Sequence, residues 1–175
     1  GSIKKSSIAN NCKISGEVSS SIISAYTNKS HDGYVGNSYI GEWVNLGAGT
    51  TVSNLKNTYG TVKIEKNNQE IETDQQFLGA TIGDHVKTSI GTLINSGSII
   101  GFGSNLFGTK MHPKTISPFT WGGNDEYERY KIEKFYEVTE RVFERRKKEL
   151  KEDEKSVLMM LYEAASNEKI TVKNK

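Results

Sequence analysis

Aliphatic residues recur along this chain at a six-residue step, not at the two-residue step of a strand face or the three-and-four step of a helix. Ile82, Thr88, Ile94, Ile100 and Leu106 stand six apart without interruption. Further upstream, Val35, Ile40, Leu46 and Val52 are spaced by five, six and six, and Gly36, Gly41 and Gly47 follow three of them. One inward aliphatic per hexad, with Gly, Asn and small residues where the backbone turns to positive φ, is the pattern of a narrow three-sided solenoid. Ile8 and Ile14 continue it toward the start, with Cys12 and Val18 alongside, so the repeat is expected to begin near residue 6.

The rhythm breaks in three places. Residues 15–30 are rich in Ser, with Ile22, Ile23 and Tyr26 as candidate inward residues, and read as a coil interrupted by a loop before His31. Residues 54–76 replace the inward aliphatics with Asn, Lys and Gly, and then alternate at period two on either side of Asn67-Asn68. That is an excursion carrying a hairpin, of the kind that juts from a solenoid corner and binds ligands. Residues 109–123 hold both prolines, which favour extended backbone and cannot donate to a ladder; they are expected to end the repeat as a surface connector. Beyond it, Ile132, Phe135, Val138 and Val142 fall at helical spacing, predicting an amphipathic helix over about 125–150. A second helix is expected around Val157, Met160, Leu161 and Ala164. The charges of both read as solvated faces with i,i+4 pairs, and the apolar stripe must be buried on the solenoid or on another subunit.

Composition narrows the partners. A net charge of +2 with 25% charged residues gives no strong field, so neither nucleic acid nor membrane is expected as a partner. The single cysteine, Cys12, fits a small core residue in a reducing cytoplasm. No apolar run approaches a membrane span, and there is no signal-peptide h-region. The chain opens on Gly1-Ser2 without an initiator Met and is expected to be a piece of a longer polypeptide.

Chemistry concentrates in residues 30–54, SHDGYVGNSYIGEWVNLGAGTTVSN, where His31, Tyr34, Asn45 and Asn54 interrupt the repeat. A neutral imidazole, with an ordinary pKa near 6.5, suits His31 to general-base work, and the backbone N–H groups of Gly47 to Gly49 suit an oxyanion. The glycines also serve simply as corners. His85, outward in its hexad, reads as solvated or at an interface, and His112, before Pro113, as structural. The three histidines lie 54 and 27 residues apart, unlike the close pairs of a zinc site, so no metal is expected. Trp43 stands on an outward position, which implies that a helix or another subunit covers it.

His-x-x-Tyr followed by VN-x-GAGT and then Asn, together with FLGATIGDHVKTSIGT and a WGG-then-helices tail, resembles the acetyltransferase half of the bifunctional glucosamine-1-phosphate N-acetyltransferase/N-acetylglucosamine-1-phosphate uridyltransferases. The resemblance covers roughly three quarters of the chain. It implies a mainly β fold: a left-handed parallel β-helix (a hexapeptide-repeat solenoid) over residues 3–123, with an inserted hairpin loop at 54–76 and a C-terminal α-helical extension at 124–170.

The resemblance also implies roles. His31 becomes the catalytic base and Asn54 its partner on the acceptor sugar, while Tyr34 and Asn45 bind the amino-sugar phosphate. Ala48, with Gly47 and Gly49, meets acetyl-CoA, and a carboxylate ahead of the histidine falls on Glu17. Two phosphate-side lysines of the family fall on Ser19 and Gly60, which leaves Lys56 as the substitute. The implied activity is acetyl-CoA-dependent N-acetylation of a glucosamine 1-phosphate-like acceptor in UDP-N-acetylglucosamine supply. The implied assembly is a homotrimer, with an upstream nucleotidyltransferase domain that alone would need Mg2+. The rival expectation is a non-catalytic trimerising solenoid serving that domain.

Overall fold

In the computed structural model, which describes residues 1–66, 69–166 and 170, the chain winds as a left-handed parallel β-helix of short strands and ends in two helices. The first coil is β1 (Ser2–Lys4), β2 (Ser7–Ile8) and β3 (Lys13–Ile14), and the second is β4 (Glu17–Ser19), β5 (Ile22–Ile23) and β6 (Asn28–Lys29). The third has β7 (Tyr34–Gly36) and β8 (Tyr39–Ile40), and its third side is reduced to bridges at Asn45. After β9 (Thr51–Val52) the chain leaves for a hairpin, β10 (Lys63–Lys66) against β11 (Gln69–Glu72), and returns at β12 (Thr81–Ile82) and β13 (Lys87–Thr88). The turn at Asn67-Asn68 lies outside the described residues. The fifth coil is β14 (Leu93–Ile94), β15 (Ile99–Ile100) and β16 (Asn105–Leu106).

Strands in equivalent positions stack in parallel and in register, which gives the prism three faces. Face A runs β1-β4-β7-β9-β14, and face B pairs one strand from each of six coils. Because register is exact from coil to coil, like residues form ladders inside: Val18, Val35, Val52 and Ile94 under face A, and Ile23, Ile40, Ile82, Ile100 and Ile116 under face B, all at most 2% exposed. Each fully buried side chain of this kind contributes about 1.5–3 kcal/mol of transfer free energy. Such ladders make each coil depend on its neighbours.

Two expectations about the repeat are corrected. Residues 15–30 form an ordinary coil and no loop interrupts it. The rhythm is hidden because the inward slot between Ile14 and Leu46 under the third face, face C, which carries β3, β6, the Asn45 bridges, β13 and β16, is held by Lys29, 1% exposed. Of the inward candidates only Ile23 points in; Ile22 is 55% exposed and Tyr26 turns a corner. Secondly, residues 109–123 do not end the solenoid. They build a sixth coil, with β17 (Thr115–Ile116) on face B and β18 (Thr120–Gly123) on face C. The prolines fit because Pro118 lies between strands, outside both ladders.

The extension also starts differently from expectation. β18 turns through Asn124 and Asp125, both at positive φ, into the antiparallel β19 (Glu126–Arg129), so the hairpin crosses the expected 123/124 boundary. Helix α1 then runs Ile132–Glu144, shorter than the 125–150 expectation, and α2 runs Glu152–Ser166. In α2 it is Leu158 and Ala165 that are buried, whereas Val157, Met160 and Leu161 are 43 to 68% exposed. No helix among the described residues is long and apolar enough to cross a membrane.

The corner between faces B and C explains where the helices dock. Its residues at Tyr26, Trp43, His85 and Phe119 all take positive φ, and three of them stack as rings: Tyr26 on Trp43 at 4.2 Å and Trp43 toward His85 at 6.4 Å. Phe143 of α1 covers Trp43 at 4.3 Å, and Phe135 meets Phe119 edge-on at 5.1 Å. Trp43 is thereby 8% exposed, covered by this chain's own helix. His85 belongs to this seam and is not a solvated residue; burial, with a lesser contribution from Lys87, pushes its pKa down to about 3.

Candidate functional site

Face A and its two corners gather most of the candidate residues. Register stacks the outward side chain of Glu17 directly on Tyr34, with Thr51 and Leu93 following in the same column. The Tyr34 ring lies flat along its own strand over Gly36, where a Cβ would collide with the ring. That explains the glycine two residues on: a side chain at 36 would lift the phenol off the face.

At the corner between faces A and B, Asn54 donates through Nδ2 to Tyr34 Oη at 2.9 Å and to Asn37 Oδ1 at 2.7 Å. Burial and then the Glu17 carboxylate raise the Tyr34 pKa, so its hydroxyl keeps its proton. Since Oη accepts from Asn54, that hydrogen is oriented away from the amide and available to a ligand. Asn37, which holds the other side of Asn54, is a functional candidate that the sequence reading missed. Its signal was an Asn at a corner position, where φ is +47°.

His31 stands at the opposite edge of face A, on the corner that joins face C of one coil to face A of the next. Asn28 pairs with Asn45 and Val35 with Val52, a constant offset that stacks His31 on Ala48. Adjacent rungs are ~4.8 Å apart, so the His31 backbone and the Gly47-Ala48-Gly49 corner are neighbours along the stack. The side chain of His31 is exposed, but its backbone is tied down. Buried Lys29 donates through Nζ to the carbonyls of Ser15 at 3.0 Å, His31 at 2.7 Å and Asp32 at 3.0 Å.

In the facing corner the Gly47 N–H is already committed, donating to Thr88 O at 3.2 Å and Thr88 Oγ1 at 3.1 Å. This corrects the expectation that Gly47 serves an oxyanion. The amides of Ala48 and Gly49 have no partner among the described residues and remain as donors. Ala48 O accepts from Gly91 N at 2.7 Å, which fixes the turn.

Asn45 is not brought to this group. It lies on face C, on the wall of a cavity of about 200 Å3 with Asn28, Trp43, Lys87, Val142 and Arg146. Arg146 closes over that face by donating to Asn28 Oδ1 at 2.7 Å. The physical reason is the prism itself: eleven residues from Tyr34 to Asn45 carry the chain about two faces round, whereas twenty from Tyr34 to Asn54 carry it one full coil of seventeen and three residues more, along face A to its next corner. Lys56 lies at the root of the insert, donating to Thr61 O at 3.1 Å, on the wall of a larger cavity beside face A.

Comparison with solved structures agrees with the fold. No family model matches the chain. The bifunctional sugar-1-phosphate nucleotidylyltransferase/acetyltransferase of Sulfurisphaera tokodaii is 38% identical over 91 residues, covering 52% of this chain and 23% of that protein. The bifunctional protein GlmU of Methanocaldococcus jannaschii is 38% identical over 87 residues, covering 50% and 21%. That of Methanococcus vannielii is 38% identical over 93 residues, covering 50% and 22%. Among solved structures, a point mutant of AntD, an N-acyltransferase from Bacillus cereus, in complex with dTDP and Coenzyme A, superposes with a TM-score of 0.55 at 17% identity, over 79% of this chain and 81% of that one. AntD with dTDP and 3-hydroxybutyryl-CoA gives 0.55 at 15% identity, over 83% and 85%. The chain is similar to the GlmU-type bifunctional proteins over about half its own residues, and it spans less than a quarter of their length. With the AntD structures it shares the β-helix fold.

Proposed function

We propose that this chain is an acetyl-CoA-dependent N-acetyltransferase acting on an amino-sugar phosphate such as glucosamine 1-phosphate. The observation that carries the reading is the column that stacks His31 on Ala48 at one edge of face A, with the Tyr34-Asn37-Asn54 network at the other. A sugar lying across that face would have its hydroxyls at the amide-phenol network and its amine at the imidazole.

In the reaction, the neutral His31 ring takes a proton from the amine as its nitrogen attacks the thioester carbonyl, forming the C–N bond. The charge that develops on the carbonyl oxygen is met by the free N–H groups of Ala48 and Gly49. Collapse breaks the C–S bond, and the proton held by His31 leaves with the thiolate as coenzyme A. Lys29, by fixing the His31 carbonyl, keeps the base at its corner. Acetyl-CoA is the co-substrate. Mg2+ has no task in this chain and belongs to an upstream nucleotidyltransferase domain, whose presence the relatives' greater length supports.

The pathway is nucleotide-sugar supply in the cytoplasm, and the assembly a homotrimer. Exposed Ile22 and Tyr39, adjacent in register on the outside of face B, support a subunit contact there. A monomeric mass by light scattering would refute the trimer. A second reading, a non-catalytic trimerising solenoid, is favoured by the separation of Asn45 from the His31 face. Release of thiol from acetyl-CoA in the presence of glucosamine 1-phosphate discriminates the two. The enzyme reading expects turnover, and a fall in kcat on the order of 10² or more in His31→Ala. No turnover, with no rise in melting temperature on adding acetyl-CoA, leaves the scaffold.

A further inference from the structure

Face C carries a polar column beneath the helical extension. Asn28 pairs with Asn45 and Asn45 with Lys87, so their outward side chains stand on successive rungs ~4.8 Å apart. The end of α1 lies over this column and leaves the cavity of about 200 Å3 between helix and face. From the helix side Arg145 and Arg146 reach its wall, and no carboxylate lines it. Neither arginine makes an ion pair among the described residues, and nor does Lys87.

Lys87 bonds to corner carbonyls as Lys29 does, but with one bond fewer. The ammonium of Lys29 directs all three N–H groups to carbonyls. That of Lys87 donates to Trp43 O at 2.9 Å and to His85 O at 2.8 Å, and its third N–H has no partner among the described residues. Burial draws the Lys87 pKa down to about 7. Asn28 Oδ1 accepts from Arg146 at 2.7 Å, which assigns the amide nitrogen of Asn28 as a further donor. Two arginines at the end of α1 also complement the helix dipole, and this explains them without a ligand. It does not explain Lys87, a cation of the solenoid wall buried without a counter-charge.

The cavity therefore has two kinds of wall. Lys87, Arg146 and Asn28 present donors, while Trp43, Val138 and Val142 are apolar. Its volume is below the ~300–1,000 Å3 of sites that enclose a drug-sized molecule, so the occupant is small. A planar carboxylate accepts parallel N–H groups from a guanidinium and offsets the charge of a buried ammonium. A short hydrocarbon chain fits the remaining wall.

We propose that this cavity binds a small aliphatic carboxylate, with its charged end at Lys87, Arg146 and the Asn28 amide and its chain against Val138 and Val142 of α1. The site lies on face C, apart from the His31 to Asn54 surface, and does not depend on the acyl-transfer reading. Its consequence is mechanical: an occupant ties the end of α1 to β6 and β13, so that binding fastens the helical extension to the solenoid.

Calorimetric titration with sodium butyrate at fixed ionic strength tests it, with butyramide and inorganic phosphate as comparisons. The proteins are the intact chain, Lys87→Met and Arg141→Gln. Arg141 pairs with Glu137 on α1 outside the cavity and is the control. The intact chain should bind butyrate at one saturable site, with butyramide and phosphate weaker by ~10-fold or more. Lys87→Met is expected to weaken butyrate by a similar factor, the size of a lost charge-assisted contact, and Arg141→Gln to bind as the parent does. Trp43 on the cavity wall gives a second reading: butyrate should change the tryptophan emission of the parent and raise its melting temperature, and do neither in Lys87→Met.

If Lys87→Met does not fold, as judged by circular dichroism, Arg146→Gln answers the same question. Absence of saturable butyrate binding by the intact chain overturns the inference. Butyramide binding as tightly as butyrate removes the role of the charge, and phosphate binding as tightly removes that of the apolar wall; either refutes the carboxylate. A loss in Arg141→Gln as large as in Lys87→Met shows a diffuse surface effect and refutes the site. No sugar or acetyl-CoA enters these titrations, so their failure leaves the acyltransferase reading untouched.

Discussion

Replacing Lys29 by Met isolates the bond set that holds the corner of His31. The two side chains are similar in length, so the inward slot between Ile14 and Leu46 stays filled and the change is electrostatic. Three hydrogen bonds from a charged donor disappear, to Ser15, His31 and Asp32. At ~1.5–3 kcal/mol each, their loss amounts to roughly 5–9 kcal/mol before compensation. The variant no longer desolvates an ammonium, a term of several kcal/mol in its favour. Corner carbonyls also recover part of the loss by hydration. The expected destabilisation is about 3 kcal/mol. With an m-value of ~2 kcal/mol/M in urea, the unfolding midpoint should fall by ~1.5 M without a change in slope. An unchanged or higher midpoint would refute the reasoning, because it would mean that burial of the ammonium outweighs its three bonds. The alkaline limb gives an independent reading. Burial draws the Lys29 pKa below 10.5, with Asp32 opposing, so just below 10.5 the unfolded chain holds the proton more tightly than the folded one. Stability of the parent should rise with pH through that window relative to Lys29→Met.

Gly33 takes φ +105°, and a Cβ there would run into the carbonyl of Thr50 one coil above, so Gly33→Ala should lose ~1–3 kcal/mol and lower kcat more than acetyl-CoA affinity, measured by urea unfolding and steady-state kinetics. Trp43→Ala removes the ring clamped between Tyr26 and Phe143; a loss of ~3–5 kcal/mol is expected, with α1 exchanging amide protons earlier than the solenoid core. His85 stays neutral in the folded chain down to about pH 3 and titrates near 6.5 when unfolded, so stability is fully present above 6.5 and is lost as pH falls from there toward 3. At pH 5 this one group removes about 2 kcal/mol. His85→Asn, which tolerates the positive φ, should show a smaller drop in melting temperature between pH 7.5 and pH 5 than the parent, and an equal drop would refute that assignment.

How much of this was written in the sequence depends on whether a residue obeys the prism. The strict run Ile82, Thr88, Ile94, Ile100 and Leu106 was legible because every member points inward at a fixed step, and all five are at most 5% exposed. The second coil was not, since an inward Lys29 looks like a break in the pattern; only its three carbonyl partners, invisible in sequence, make it a core residue. The sixth coil was misjudged for a similar reason. Proline argues against a ladder position, yet here it occupies a corner where no ladder bond is needed.

The site divides along the same line. Once a coil is known to take seventeen residues at this height, the stacking of His31 on Ala48 and of Asn37 on Asn54 follows from subtraction, and so does the exclusion of Asn45. A linear motif conceals this, because neighbours in the motif are not neighbours on the prism. The bonds of Lys114 and Thr115 to the hairpin carbonyls of Lys63 and Glu65 obey no such arithmetic. They arise where an insert of irregular length folds back along the stack and reaches a coil that was not expected to exist. Side chains held on the repeat can therefore be exchanged only by changing the corner chemistry itself. Those supplied by the insert can change with loop length while every ladder inside stays the same. On that division the column of His31 and Ala48 is tied to the coil, and the surface formed by the insert is the part most open to variation among solenoids of identical core.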